Sequence, residues 1–533
     1  IATPYTEIEF YGRTAYGNES NIPFRVASAD WQESDRLMAS FLAAVDAPIR
    51  EIAIGGRGEL DGVMLGTFRS PRIEATFAGA DIRAWNVGWG VGRGGITVEN
   101  GYLDVNGGYF EKERAELEVN GRFALGARND GGDEIDANFS LVSFPAARIR
   151  EAFALEGYNI DGPLTGSVRL FGDYGSPFGV GRLTLANPVA YGEPFESATA
   201  GLRFEGSGVR VDGLNVRKGE GLVTGAAFIR WDGTYSFNAD GRDIAINSIR
   251  SARLEEAPLR GLTQFTAEGV GAFDNPRYEV RGSVNGLTVR GETIGQVSAR
   301  LDVRDGVMGL EAEAASNQLA VSGSGRVDLL TAEADLLFRV TNTSIDPYIR
   351  AFQPVISEKV SAEVSGTLQV LGNFQDVEQL HVVSTVEQFE LDFFDYTLRN
   401  QEPLKLGLGQ RIVNIERVQL VGEGTAVDLM GEVDLADKRI AVRADGTADL
   451  GLLQEFFPEV RGSGTARLVA EVGGTLQQPL VTGEASVDGG RIRHLLFPHG
   501  LENIEGRIVF EPDGVRFDEL MGELGNGFVR FGG

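Results

Sequence analysis

Three places in the chain carry residue types that could do chemistry. GVGRGG, residues 90–95, has the G-x-G-x-x-G spelling of a dinucleotide-binding loop. That loop works by opening a helix whose N-terminus faces a pyrophosphate, and here the glycines lead into the strand-like ITVEN instead, so a cofactor role is set aside. NDGGDEID, residues 129–136, gathers Asp130, Asp133, Glu134 and Asp136, a carboxylate set that could hold calcium. It has neither the EF-hand spacing nor a nonapeptide calcium repeat and is read as a solvated acidic hairpin. The three histidines are His381, His494 and His499, the last two flanking LLFP. With no cysteine beside them they complete no zinc set. A proton-transfer role would need a carboxylate partner, which sequence alone does not place. The chain contains no G-x-S-x-G elbow and no Walker loop. The expectation is a protein with no catalytic residues, no metal and no cofactor, and not an enzyme.

Composition narrows the partners. With 77 acidic and 49 basic residues the formal charge is −28, a surface that repels nucleic acid and anionic headgroups. The absence of cysteine removes disulfides and thiol chemistry and is compatible with an oxidising compartment such as the periplasm. No run of 18 apolar residues is present, so no helical membrane span is expected. The chain opens at IATPYTEIEF and stops at GNGFVRFGG in mid-pattern, without an initiator methionine or signal peptide. It is therefore read as a piece of a longer protein whose anchor lies elsewhere.

The elements that would position any site repeat. LGTFRSPRIEATF, FGDYGSPFGVGRLTL, VGAFDNPRYEVRGSV, LGNFQDVEQLHVVSTV and GTLQQPLVTGEASV share one pattern. Their marker positions Pro71, Pro177, Pro276, Val377 (where proline is lost) and Pro479 lie about a hundred residues apart. Within each module, residues alternate apolar and polar, as in GLRFEGSGVRVDGLNV, where Leu202, Phe204, Val209 and Val211 share one face. Period two with frequent glycine turns means antiparallel strands with one apolar face. Helical signal is confined to 30–45, 144–153, 246–254, 346–352 and 449–457, with Phe41, Phe153, Phe352 and Phe457 near module ends and Leu254 in the equivalent place. Each module is read as roughly eight strands plus one short amphipathic helix covering apolar surface. The modules are 1–60 (partial, with a helix near 31–45), 61–160, 161–260, 261–360, 361–460 and 461–533 (partial). About forty strands at ~4.8 Å would make a continuous sheet of about 190 Å.

The run from Val472 to Gly533, with its G-T-L-x-x-P opening, its G-x-[AV]-x-[VLI] strand and its N-I-x-G-x-[IL]-x-F strand, resembles the TamB branch of the AsmA-like proteins. ANPVAYGEPFESATAGLRFEGSGVRVDGLNVRKGEGLVTGAAFI, residues 186–229, follows the same order, and the resemblance covers most of 60–533. It implies an all-β fold, a repetitive, elongated, twisted antiparallel sheet curled into an apolar trough (a β-taco) with a few short helices. It also implies a periplasmic protein anchored in the inner membrane by a segment not present here and docked on an outer-membrane β-barrel of the TamA/BamA type. The cargo would be phospholipid, carried between the membranes with its acyl chains on the apolar wall. On this reading the groove is lined by Leu183, Leu185, Leu202, Phe204, Val209, Val211, Val297, Leu301, Val427, Leu429, Ile508 and Phe510. Two alternatives stay open: an assembly factor that templates outer-membrane β-barrels or autotransporters by strand addition, and a structural or adhesive solenoid whose apolar face is merely core.

Overall fold

The structure is a computed structural model. It describes residues 1–12, 20–44, 54–67, 70–84, 87–125, 134–152, 159–252, 258–289, 292–316, 319–345, 360–374, 376, 379–393, 396–452, 459–475, 478–496 and 499–532. The fold is all-β. Thirty-three strands belong to one antiparallel sheet, and the two-residue strands Ile160–Asp161, Val189–Ala190 and Glu193–Pro194 form a small second one. The chain divides into two compact units, Ile1–Arg253 with Thr263–Tyr278, and Leu254–Leu262 with Glu279–Gly533. In each, strands pair with their sequence neighbours in a meander, the arrangement that short turns and period-two patterning favour.

An antiparallel meander has two ends, and the connections sort between them. Six strands separate the helix Ala146–Ala152 from the 3-10 turn Ile246–Ser248, not counting the small second sheet. Six more lie between Arg250–Ala252 and residue 345. The sequence reading of eight strands is thus too high, because the strands run mostly to 9–15 residues, well beyond the usual five or six. An even number returns the chain to the same end each time. One end of each unit therefore carries the helical connections and is here termed the helical rim. The other carries the turns at Pro71, Pro177, Pro276 and Pro479, each within two residues of a strand start, and is termed the proline rim. Proline is confined to such strand ends because it cannot donate to the ladder. In the module that lacks it the strands Val360–Asn373 and His381–Phe393 still pair, with a turn held by Asp376 N donating to Asn373 O (3.2 Å) and Gln379 N to Asp376 O (3.0 Å). Val377 itself lies outside the described residues.

The helical segments agree in place with the sequence reading and differ in kind. Trp31–Ala44 is an α-helix, started by Asp30, whose Oδ1 accepts from Gln32 N at 3.0 Å. Ala146–Ala152 is a short α-helix after Pro145. The segment 246–254 forms two 3-10 turns, Ile246–Ser248 and Arg250–Ala252, interrupted where Ile249 is extended and Ser248 Oγ donates to Ala245 O (2.6 Å). A β-branched, Ser/Asn-rich run offers local hydrogen bonds that compete with an α-helix. Leu450–Leu452 is likewise 3-10. Residues 346–352, Phe153, Leu254, Phe352 and Phe457 lie outside the described residues.

A left-handed residue recurs with the module. Ser143, Asp243 and Asn342 have positive φ, about a hundred residues apart, each just before a rim connection. At Ser143 and Asn342 it marks a bulge that shifts the register, and a neighbouring hydroxyl takes the displaced N–H: Ser143 N donates to Thr165 Oγ1 (3.0 Å) and Asn342 N to Ser365 Oγ (2.8 Å). Deeply buried side chains occur at both rims: Ile82, Phe144, Leu164 and Ile244 at the helical rim of the first unit and Ile504 at that of the second, with Ala137 and Val303 toward the proline rim. One core cluster, Leu117, Leu141, Phe144 and Leu164, has Ile149 of the helix Ala146–Ala152 packed on it.

Candidate functional site

The one feature of site-like extent is the apolar face. Residues directly opposed across antiparallel strands point to the same side, so the register traces rows across the sheet. In the first unit one row runs Phe10, Phe24, Gly62, Ala75, Ile96, Val105, Gly121, Ala137, Leu170, Gly179, Phe204, Val209, Ile229, Tyr235. Every one of these fourteen is apolar or glycine. A second row, two residues along, contains Phe139, Val168, Gly181, Leu202, Val211, Ala227 and Phe237. In the second unit, Leu301, Leu310, Gly325, Leu336, Val370, Val382, Leu408, Val413, Val433 and Ile440 make an equivalent row over ten strands.

The other face is polar. Along Asn120, Asn138, Arg169, Val180, Arg203 and Arg210, two arginines oppose each other and are neutralised by carboxylates. Arg210 makes a two-pronged bond to Glu205 (2.8 and 3.0 Å), and Arg203 reaches Asp212 at 2.7 Å. The guanidinium of Arg210 holds the Glu205 carboxyl below its ordinary range. The same device recurs as Arg122–Asp104, Arg399–Glu390, Arg417–Asp428 and Arg507–Asp518. These pairs are largely exposed and stabilise little; their effect is to fix which face meets water.

All twelve residues expected to line a groove are half-buried; the register places Phe204 and Val209 on the first row, Leu202 and Val211 on the second and Leu301 on the row of the second unit, while the other seven lie further along their strands or on strands beyond these rows. They divide in surroundings. Leu183 and Leu185 pack against the cluster under the helix Ala146–Ala152, Leu429 against Leu404, Val418 and Leu420, and Ile508 against Leu450, Val487 and Ile504. Those four belong to packed parts of the face. Leu202, Phe204, Val209, Val211, Val297, Leu301, Val427 and Phe510 take part in no such cluster among the described residues. A fully packed second layer would bury them; here they keep part of their surface open.

Glycine supplies what covers the face locally, a role the sequence did not disclose. A Cβ on Gly58 or Gly79 would come within 2.8 and 2.5 Å of the Trp31 ring, so the indole sits on bare backbone, edge-on to Phe77 with 6.3 Å between centroids. GVGRGG lies inside the strand Val87–Glu99, which continues through the strand-like ITVEN. Gly92 and Gly94 make room there for Phe110 and Phe77, whose rings lie 6.1 Å apart. The pattern that spells a dinucleotide loop is thus a set of aromatic seats.

The remaining candidates do not converge. Asp130 and Asp133 lie outside the described residues, while Glu134 and Asp136 are exposed on the strand Glu134–Pro145. His381 opens the strand His381–Phe393 at the proline rim. His494, at the helical rim, has its Nε2 3.2 Å from Glu459 Oε2, and its Nδ1 accepts from Leu496 N. That supplies the carboxylate partner the sequence could not place. Among the described residues no three His, Asp or Glu side chains gather as a metal site, and no helix is long and apolar enough to cross a membrane. The chain matches no protein-family model and no curated protein.

Proposed function

We propose that the apolar face is a lipid-binding wall that shelters phospholipid acyl chains while headgroups stay in water, in a protein that carries lipid between the two membranes of a cell envelope. The observation that carries the first half is the row from Phe10 to Tyr235, unbroken by a polar side chain over fourteen strands yet left partly open. Phe24, Ile96, Val105, Leu170, Phe204, Val209 and Ile229 of that row are half-buried, and contiguous apolar surface left open is the mark of an interaction site. Burying it stabilises at roughly 25 cal/mol per Å², which gives the face a standing affinity for hydrocarbon.

The membrane-to-membrane role, the periplasmic location and an outer-membrane β-barrel partner rest on the resemblance to the TamB branch. The half-buried state of Leu202, Phe204, Val209 and Val211 favours the wall over a closed structural solenoid, whose core positions would be sealed. The test is depletion: extract the purified chain with a lipid-stripping resin and return phosphatidylethanolamine vesicles. Uptake of lipid that survives gel filtration supports the reading. A folded chain that takes up none overturns it.

A further inference from the structure

The two rims of the first unit are chemically different, and the difference bears on how a lipid would lie. At the helical rim, side chains on the apolar face are sealed: Ile82 is 1% exposed and Phe144 3%. The hairpin tips there are polar, Glu113 with Arg114 and Gly219 with Glu220. At the proline rim, Trp231 is 47% and Phe273 45% exposed. Their two turns are joined by Phe273 N donating to Gly233 O at 3.1 Å. Trp231 is held by its indole N–H, which donates to Gly206 O at 2.7 Å, and its ring stacks on Phe204 of the apolar row. Phe273 lies 5.0 Å from Tyr235, the last residue of that row. The aromatic surface thus climbs from the face to the rim without a break.

Three of the exposed rings at this rim have a carboxylate as their neighbour in sequence: Asp173 before Tyr174, Asp232 after Trp231 and Asp274 after Phe273. The second unit, taken by itself, repeats the pairing at its proline rim, with Asp328 beside the exposed Leu329 and Leu330 and Asp434 beside Leu435. Asp232 and Asp328 are held below the ordinary carboxylate range, Asp232 by the Thr234 hydroxyl and N–H and Asp328 by the N–H groups of Thr331 and Leu330, so both stay anionic. An aromatic face next to a carboxylate is the surrounding that suits an ammonium group. Trp and Tyr also settle at the level of lipid headgroups, where one end of the ring is apolar and the other wet.

Resting on the lipid-wall reading above, we propose that the proline rim is the headgroup side. Acyl chains lie along the strands toward the sealed helical rim, and an ammonium-bearing head, of the ethanolamine or choline kind, sits among Trp231, Phe273, Asp232 and Asp274. The dimensions allow it. A strand of about eleven residues spans about 36 Å, and one leaflet's hydrocarbon is about half of a ~30 Å bilayer core. Lipids leave and arrive sideways over the proline rim, because the helical rim is closed.

Tryptophan positions make this measurable, since Trp231 marks the proline rim and Trp89, stacked on Phe144, marks the helical rim. The emission of each is isolated by difference against Trp231→Phe and Trp89→Phe, substitutions that keep an aromatic ring in place. The chain is loaded from phosphatidylcholine vesicles carrying a nitroxide either on the headgroup or at the chain end. Trp231 should lose more emission to the headgroup label and Trp89 more to the chain-end label. The Asp232→Asn, Asp274→Asn pair should lower uptake of phosphatidylcholine by about two- to fivefold per charge and leave uptake of phosphatidylglycerol undiminished. Equal or reversed quenching at the two tryptophans overturns the orientation while leaving lipid binding intact. No quenching of either by either label overturns the lipid wall itself, and the orientation with it.

Discussion

A single charge placed on the row separates an open wall from a closed core. Leu202 is half-buried, opposed by Gly181 on one side and Val211 on the other, with Phe204 two residues along. Full burial of a leucine stabilises by about 1.5–3 kcal/mol, so at half burial Leu202→Glu forfeits about 1–1.5 kcal/mol of apolar contact. The opposing glycine has no side chain, and the carboxylate keeps water on that side; partial desolvation brings the total to about 2 kcal/mol. For a unit of this size each kcal/mol moves the melting point by about 2–4 °C, which predicts a fall of about 4–8 °C with the sheet intact. In a sealed core the unpaired charge would cost about 3–5 kcal/mol on its own, and the first unit would unfold early. The introduced glutamate has a folded pKa above its unfolded value. Its penalty is therefore small below about pH 4 and grows as pH rises through the folded pKa. The assay is a melt followed by circular dichroism at pH 4 and pH 7.5, with bound phospholipid measured on the same samples. A fall well beyond 10 °C, or a separate early transition, would refute the open wall. A near-native melt with undiminished lipid would refute Leu202 as part of its path.

Trp31→Ala should detach the helix Trp31–Ala44, because the indole fills the space above Gly58 and Gly79. The expected cost is about 2–4 kcal/mol, seen as faster hydrogen exchange in the helix, with strands of the second unit unchanged as expected when contacts are to neighbours alone; exchange unchanged in the helix would contradict it. Gly241→Ala should drive the Phe265 ring off the backbone it touches and cost about 1–3 kcal/mol, and a neutral result in a urea titration would show the ring seat to be unimportant. Arg210 depresses the folded pKa of Glu205, so that contribution is present above the unfolded value and lost as pH falls through the folded one. The stability difference between the native chain and Glu205→Gln should therefore be constant from pH 7 to about 4.5 and shrink only below about 4; a difference that shrinks between pH 7 and 5 would argue against the pair.

Much of this architecture is written in the local pattern. The alternation in GLRFEGSGVRVDGLNV yields the strands Ser197–Glu205 and Gly208–Lys218 with Leu202 opposite Val211, as period two requires. The helix at Trp31–Ala44 follows from its cap and its apolar stripe. What the pattern does not contain is register, and a one-residue slip would send every side chain to the other face. The fourteen-residue row, the glycine seats beneath Trp31 and Phe110, and the bulges at Ser143 and Asn342 all depend on which residue opposes which. Strand number was misjudged for a related reason: frequent glycine turns were expected, whereas glycines such as Gly107 and Gly108 lie inside a long strand, Tyr102–Lys112. The difference between the rims was equally hidden, because Ile504 is buried in a cluster with Leu450 and Val487, on elements earlier in the chain.

The most direct test of the lipid wall is the mass of the intact, folded chain after purification from cells that contain phospholipid. Native mass spectrometry should show phospholipid adducts on the chain, more than one per molecule given the length of the apolar rows, and Leu202→Glu should reduce them. A folded chain of bare mass, with no adduct at any gentleness of ionisation and none gained from vesicles, would contradict the account.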